Sequence, residues 1–133
     1  MSLQGGCYCG AVRYEIFGDT FNSTLCHCTD CRKASGAPAF AWFSVKLAGL
    51  GWLSGKPRQF RSSAHATRSF CQDCGTTLTW STDAWPEEID IATASLDDPD
   101  AVPPADHTYT RSRLGWMNLH DGLPEFQTTR SAG

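Results

Sequence analysis

Seven cysteines fall into three tight groups: Cys7 and Cys9; Cys26, Cys28 and Cys31; and Cys71 and Cys74. Such spacing is that of metal ligands, and it constrains the fold more than any other feature of the chain. The outer groups read Cys7-Tyr8-Cys9-Gly10 and Cys71-Gln72-Asp73-Cys74-Gly75, each a close pair of thiols followed by glycine. A glycine there lets the backbone turn beneath a metal and aim N–H groups at the sulfurs. Two such pairs brought together make a Cys₄ tetrahedron, the closed geometry of a structural zinc site. A disulfide framework is the competing reading. It is weak, because neighbouring C-x-C thiols bond to each other only with strain and an odd number leaves one cysteine over.

The middle group, Leu25-Cys26-His27-Cys28-Thr29-Asp30-Cys31-Arg32-Lys33, offers three thiolates and no fourth ligand in line. A zinc held by three protein ligands keeps one position for water or substrate, the mark of a catalytic site. His27 is the tempting fourth ligand. If the stretch ends a strand, however, side chains alternate and His27 faces away from Cys26 and Cys28 as a packed or hydrogen-bonded residue. His65, His107 and His120 each stand alone and read as surface or hydrogen-bonded side chains. Iron–sulfur ligation needs other spacings, and a thioredoxin-type Cys28-x-x-Cys31 needs a strand–helix–strand setting that the sequence does not suggest.

A chain of 133 residues fits one domain, expected over residues 5–127. With 11 Lys and Arg against 14 Asp and Glu, the formal charge is −3. That balance supplies no basic field for nucleic acid, so a nucleic-acid partner is not expected. No stretch approaches the ~20 apolar residues of a membrane span, and Met1 to Gly6 lack a signal pattern. A cytoplasmic setting is expected, where free thiols persist and zinc serves as the staple.

Twelve glycines and seven prolines punctuate short aromatic and β-branched segments, which argues for an all-β domain. Expected strands are residues 11–17, 23–27, 38–45, 59–62, 66–71, 76–81 and 89–94. Phe40 and Trp42 fall on one strand face and read as core. Short helical turns are expected at residues 29–34 and 98–102, with Pro99 suited to a first helical position. Ser131-Ala132-Gly133 reads as a frayed end.

The motifs together resemble the glutathione-dependent formaldehyde-activating enzyme family, which includes the centromere protein V type of domain. The matching segments are Gly6-Cys7-Tyr8-Cys9-Gly10-Ala11-Val12 with Tyr14, Cys26-His27-Cys28-Thr29-Asp30-Cys31-Arg32-Lys33 with Gly36, and Phe70-Cys71-Gln72-Asp73-Cys74-Gly75 with Leu78. Ser95-Leu96-Asp97-Asp98-Pro99 and Asp121-Gly122-Leu123-Pro124-Glu125-Phe126 complete the series. The resemblance implies a β-tent zinc fold of small antiparallel sheets, with Cys7, Cys9, Cys71 and Cys74 on a structural zinc and Cys26, Cys28 and Cys31 on a catalytic one. It further implies a carbon–sulfur lyase that joins a thiol such as glutathione to formaldehyde as S-hydroxymethylglutathione. Arg32 and Lys33 are candidates to receive substrate carboxylates, the arginine as a fork and the lysine as a point charge. The alternatives are a non-catalytic zinc-binding interaction module and a thiol- or redox-responsive zinc protein.

Overall fold

In a computed structural model, described over residues 2–130, the chain forms ten strands and one α-helix. Strands β1 (Leu3–Gly6), β2 (Arg13–Ile16) and β5 (Leu50–Ser54) make a three-stranded antiparallel sheet in the order β1-β2-β5. The second sheet has seven strands: β3 (Phe21–Cys26), β4 (Phe40–Lys46), β6 (Arg58–Arg61), β7 (Ala66–Phe70), β8 (Thr77–Thr82), β9 (Glu88–Ala92) and β10 (Asp106–Thr108). Their order is β10-β3-β4-β9-β8-β7-β6, antiparallel throughout except for the parallel pair of β10 and β3. The expected all-β architecture is therefore present, with one large sheet beside the small one.

All seven expected strands occur, with ends shifted by a residue or two, and helix α1 spans Thr29–Ser35. The turn expected near Asp98 is a 3-10 turn over Pro99–Ala101, with proline in its first turn. The stretch 131–133 lies outside the described residues. Three strands were not expected from the sequence. β1 ends in two glycines and β5 contains one, which breaks the apolar pattern. β10 is Asp-His-Thr, polar yet wholly buried, and its side chains are satisfied by long-range partners instead of by solvent.

The main core lies between the sheets, where Tyr14, Ile16, Phe43, Val45, Leu78 and Ile91 are almost fully buried. Alternation along β2 turns Tyr14 and Ile16 to one face, and alternation along β4 does the same for Phe43 and Val45. A smaller apolar cluster surrounds Cys26 and Cys31, with Trp42 and Ala92 buried and Phe40, Trp80 and Tyr109 packed against it. Phe40 and Trp42 do share a face, with ring centroids 4.5 Å apart. Their apolar company is this second cluster, at the edge of the middle cysteines.

Candidate metal and thiol site

The two outer cysteine pairs form matching turns. After β1, the Gly10 N–H donates to the Cys7 carbonyl at 3.2 Å, and the Val12 N–H donates to Cys7 Sγ at 3.2 Å. After β7, the Gly75 N–H donates to the Cys71 carbonyl at 2.8 Å. Gly10 and Gly75 have φ of 83° and 81°, in the left-handed region that a side chain would strain. The turns meet face to face, and the sulfurs of Cys7, Cys9, Cys71 and Cys74 all lie within 4.8 Å of one another. Cys7 Sγ to Cys9 Sγ is 3.6 Å and Cys9 Sγ to Cys71 Sγ is 3.8 Å, against about 3.8 Å for the edge of a tetrahedron with Zn–S of ~2.3 Å. Four thiols in this arrangement fit a closed, soft-metal site. Thr76 Oγ1, 3.2 Å from Cys74 Sγ, holds that thiol's pKa down to about 5, with help from the Thr76 backbone.

The middle group is assembled by the end of β3 and the start of α1. Cys26 closes the strand, Cys28 caps the helix and Cys31 sits in its first turn, so the three sulfurs converge within 4.8 Å. The Cys31 N–H donates to Cys28 Sγ at 3.2 Å, which caps the helix. At the far end, Gly36 takes φ 76° and its N–H donates to the Arg32 carbonyl at 2.7 Å, ending α1 after two turns. The strand–helix–strand order that the sequence did not suggest is present as β3-α1-β4. Its strands are antiparallel, though, and Cys26 joins the pair, so the setting is not that of a dithiol redox motif.

Hydrogen bonds from Cys26 and Cys28, then from Trp42 and Arg68, hold the Cys31 thiol down to about 2, while hydrogen bonds with Cys28 and Cys31, together with burial, push Cys26 up. Three crowded thiols thus support one thiolate with protonated neighbours, and a divalent cation would replace those protons. Among the described residues, no fourth Cys, His or carboxylate completes the group.

His27 points away from these sulfurs, as strand alternation predicts. It is fully buried, and its Nε2 lies 2.9 Å from His107 Nδ1 on β10. His107 Nε2 in turn meets the Asp121 carboxylate at 2.9 Å. The carboxylate fixes the proton on His107 Nε2, so His107 Nδ1 accepts from His27 Nε2–H. Burial pushes the His27 pKa down to about 4, aided by Arg113 and His107, which keeps the ring neutral. This three-residue chain pins the ligand-bearing end of β3 to β10. His65 and His120 are exposed.

A cleft of about 710 Å³ opens beside the three sulfurs. Its floor is set by register. Arg68 stands opposite Trp80, Trp80 opposite Asp90, and Asp90 opposite Ser44, a row crossing β7, β8, β9 and β4. Directly opposed residues share a sheet face, so all four line the cleft. Ser44 Oγ donates to Asp90 Oδ1 at 2.6 Å, yet burial still raises the Asp90 carboxyl to about 6. Arg68, 8% exposed, donates from Nη2 to Cys31 Sγ at 3.8 Å. A second hollow of about 660 Å³ shares Asp30, Arg68 and Trp80 with the cleft and includes Lys33, Ser62 and Ser63. Of the candidate carboxylate contacts, exposed Lys33 lines this hollow, whereas half-buried Arg32 turns its Nη2 to Thr29 Oγ1 at 3.3 Å. Arg68 was not anticipated, since an arginine between Thr67 and Ser69 gives no sign of burial until the strands are in register.

The fold and its two thiol clusters define a β-protein built around two cysteine sets placed so that each could hold a metal ion. The sequence model of the family described as glutathione-dependent formaldehyde-activating enzyme matches residues 2–112, and the chain belongs to that family. A Halomonas elongata protein named for the same family is 26% identical over 131 residues, covering 90% of this chain and 82% of its own. A Schizosaccharomyces pombe protein named as an uncharacterized lyase is 29% identical over 75 residues, 56% of this chain and 54% of its own. A crystal structure of a Rhodobacter sphaeroides protein superposes with a TM-score of 0.59 at 22% identity, over 92% of this chain and 98% of that one, and so shares the fold. Family membership and the lyase-named relative support an enzyme. No helix among the described residues is long and apolar enough to cross a membrane.

Proposed function

We propose that residues 5–127 act as a zinc-dependent carbon–sulfur lyase of the glutathione-dependent formaldehyde-activating type, working in the cytoplasm. The substrate is a thiol such as glutathione, which combines reversibly with formaldehyde to give S-hydroxymethylglutathione. The observation that carries this reading is three converging thiols without a fourth protein ligand, at the edge of a cleft large enough for a small peptide. Cys7, Cys9, Cys71 and Cys74 take the structural role, as a closed set that joins the two sheets.

Zinc at Cys26, Cys28 and Cys31 would supply a thiolate nucleophile at neutral pH, since a coordinating thiol loses its proton outright. The chain's own residues do the rest. Three cysteine thiolates outweigh a divalent cation by about one charge, which keeps a neighbouring sulfur electron-rich. Trp42, Trp80 and Tyr109 give the cleft its apolar walls and exclude water from the reacting sulfur. Lys33, at the rim of the adjoining hollow, and Arg32, its neighbour on α1, receive the carboxylates of the thiol.

The test is binding and rate together. Glutathione should bind, and S-methylglutathione, without an ionisable thiol, should bind far more weakly. NMR exchange should show glutathione and formaldehyde equilibrating with the hemithioacetal faster than in a zinc-matched control, and Cys28→Ala should abolish the excess. Absence of both glutathione binding and excess rate overturns the reading and favours a non-catalytic or thiol-responsive zinc module.

A further inference from the structure

Arg68 carries a guanidinium edge that nothing in the fold uses. Its side chain is more than nine-tenths buried, and Nη2 is spent on Cys31 Sγ. Among the described residues, buried Nη1 has no hydrogen-bond partner. Leaving a charged N–H buried and unpaired is costly, and a lone counter-ion to the thiolates would be served as well by a lysine, which carries no second nitrogen to satisfy. The residue lines both the cleft and the adjoining hollow.

Resting on the proposed thiol chemistry, we infer that Arg68 Nη1 binds the oxygen of the carbonyl compound that adds to the substrate thiol. A substrate sulfur that joins Cys26, Cys28 and Cys31 is a neighbour of Cys31 Sγ, and therefore of Arg68. In the addition, the thiolate electron pair forms the carbon–sulfur bond and the carbonyl π pair moves to oxygen. The thiol proton has left to solvent, and the alkoxide then takes one from water, so that thiol plus aldehyde equals hemithioacetal. The developing oxyanion stands two bonds from the sulfur, within reach of a donor fixed beside that sulfur. Arg68 stays protonated throughout and acts by charge and hydrogen bonding, which is strongest where charge appears only in the transition state. In the reverse direction the same donor holds the alkoxide from which the carbon–sulfur bond breaks.

The experiment uses the zinc-loaded protein and reads binding as well as rate. Mercaptoacetate places an anionic oxygen near its sulfur and mimics the alkoxide, whereas ethanethiol is a neutral thiol of similar size. Tryptophan fluorescence, reported by Trp42 and Trp80 in the cleft, should show mercaptoacetate bound roughly tenfold or more tightly than ethanethiol. Arg68→Met should erase that preference with ethanethiol affinity and zinc content unchanged, and should lower the hemithioacetal rate about 10²-fold. Arg68→Lys should restore part of both, and it carries the test if Arg68→Met does not fold. An unchanged mercaptoacetate preference in the Arg68 variants overturns the inference. So does loss of the second zinc, which would make Arg68 a counter-ion only. A wild-type protein without any excess rate sinks the proposed function, while the mercaptoacetate comparison still decides whether Arg68 binds an oxyanion.

Discussion

The Tyr8 N–H donates to Thr76 Oγ1 at 3.0 Å, and this bond ties the cysteine turn that follows β1 to the one that precedes β8. Thr76 also stands 3.2 Å from Cys74 Sγ, so one hydroxyl serves both turns. The two segments are 68 residues apart in the chain and belong to different sheets. A metal shared by Cys7, Cys9, Cys71 and Cys74 therefore closes a long loop, and its binding free energy becomes folding free energy. Cys74→Ala should unfold the domain, as followed by circular dichroism melts. Cys28→Ala opens only a local turn and should keep a cooperative melt. The reverse pattern would exchange the roles of the two sites.

Metal content should divide the same way. With four ligands in one set and three in the other, the purified protein should hold up to two zinc ions of unequal affinity. During graded chelation followed by native mass spectrometry, one ion should leave well before the other, and Cys28→Ala should lack the first to leave. A single release step, or iron in place of zinc, would count against two distinct sites.

The cysteine groups were legible in the sequence because each is built from thiols close together in the chain. Cys26, Cys28 and Cys31 meet through one strand end and one helical turn, and the glycines after Cys9 and Cys74 announce the turns that the backbone makes. What the sequence hid depends on register. Arg68, Trp80, Asp90 and Ser44 form one row only because four strands pair in a particular alignment, and each alone is an ordinary strand residue. β10 was hidden for a related reason: its polar side chains are buried, and their partners Thr24, Asp121 and Arg130 lie 14 to 84 residues away. Period-two alternation of apolar residues cannot reveal a strand whose inward face is polar.

Asp90 should make stability depend on pH. Its carboxyl is raised by burial to about 6, against ~3.9 for an unperturbed aspartate, so the folded state holds a proton that the unfolded state has lost. The contribution is fully present below about pH 4 and disappears as pH rises through 6. Asp90→Asn keeps an acceptor for Ser44 Oγ and carries no charge to bury. At pH 7.5 it should be more stable than the wild type by about 1–3 kcal/mol, and the difference should vanish near pH 4. Urea melts across that range would show it, and a variant less stable at pH 7.5 would refute the buried-carboxylate account.

The His27, His107 and Asp121 chain should prove unequal in its links. The His107 side chain is 3% exposed and Asp121 is 33% exposed, so the inner bond is dry and the outer one is wet. His107→Ala would leave His27 Nε2–H buried without an acceptor and open a cavity beneath β10, at a cost of about 2–4 kcal/mol. Asp121→Ala removes a solvent-screened contact and should cost far less. Because β10 holds the strand end that carries Cys26, His107→Ala should also weaken zinc at the second site more than at the first, measured by competition with a chelator. Equal destabilisation by the two variants, or loss of metal from the four-cysteine site first, would mean that the chain does not brace the end of β3.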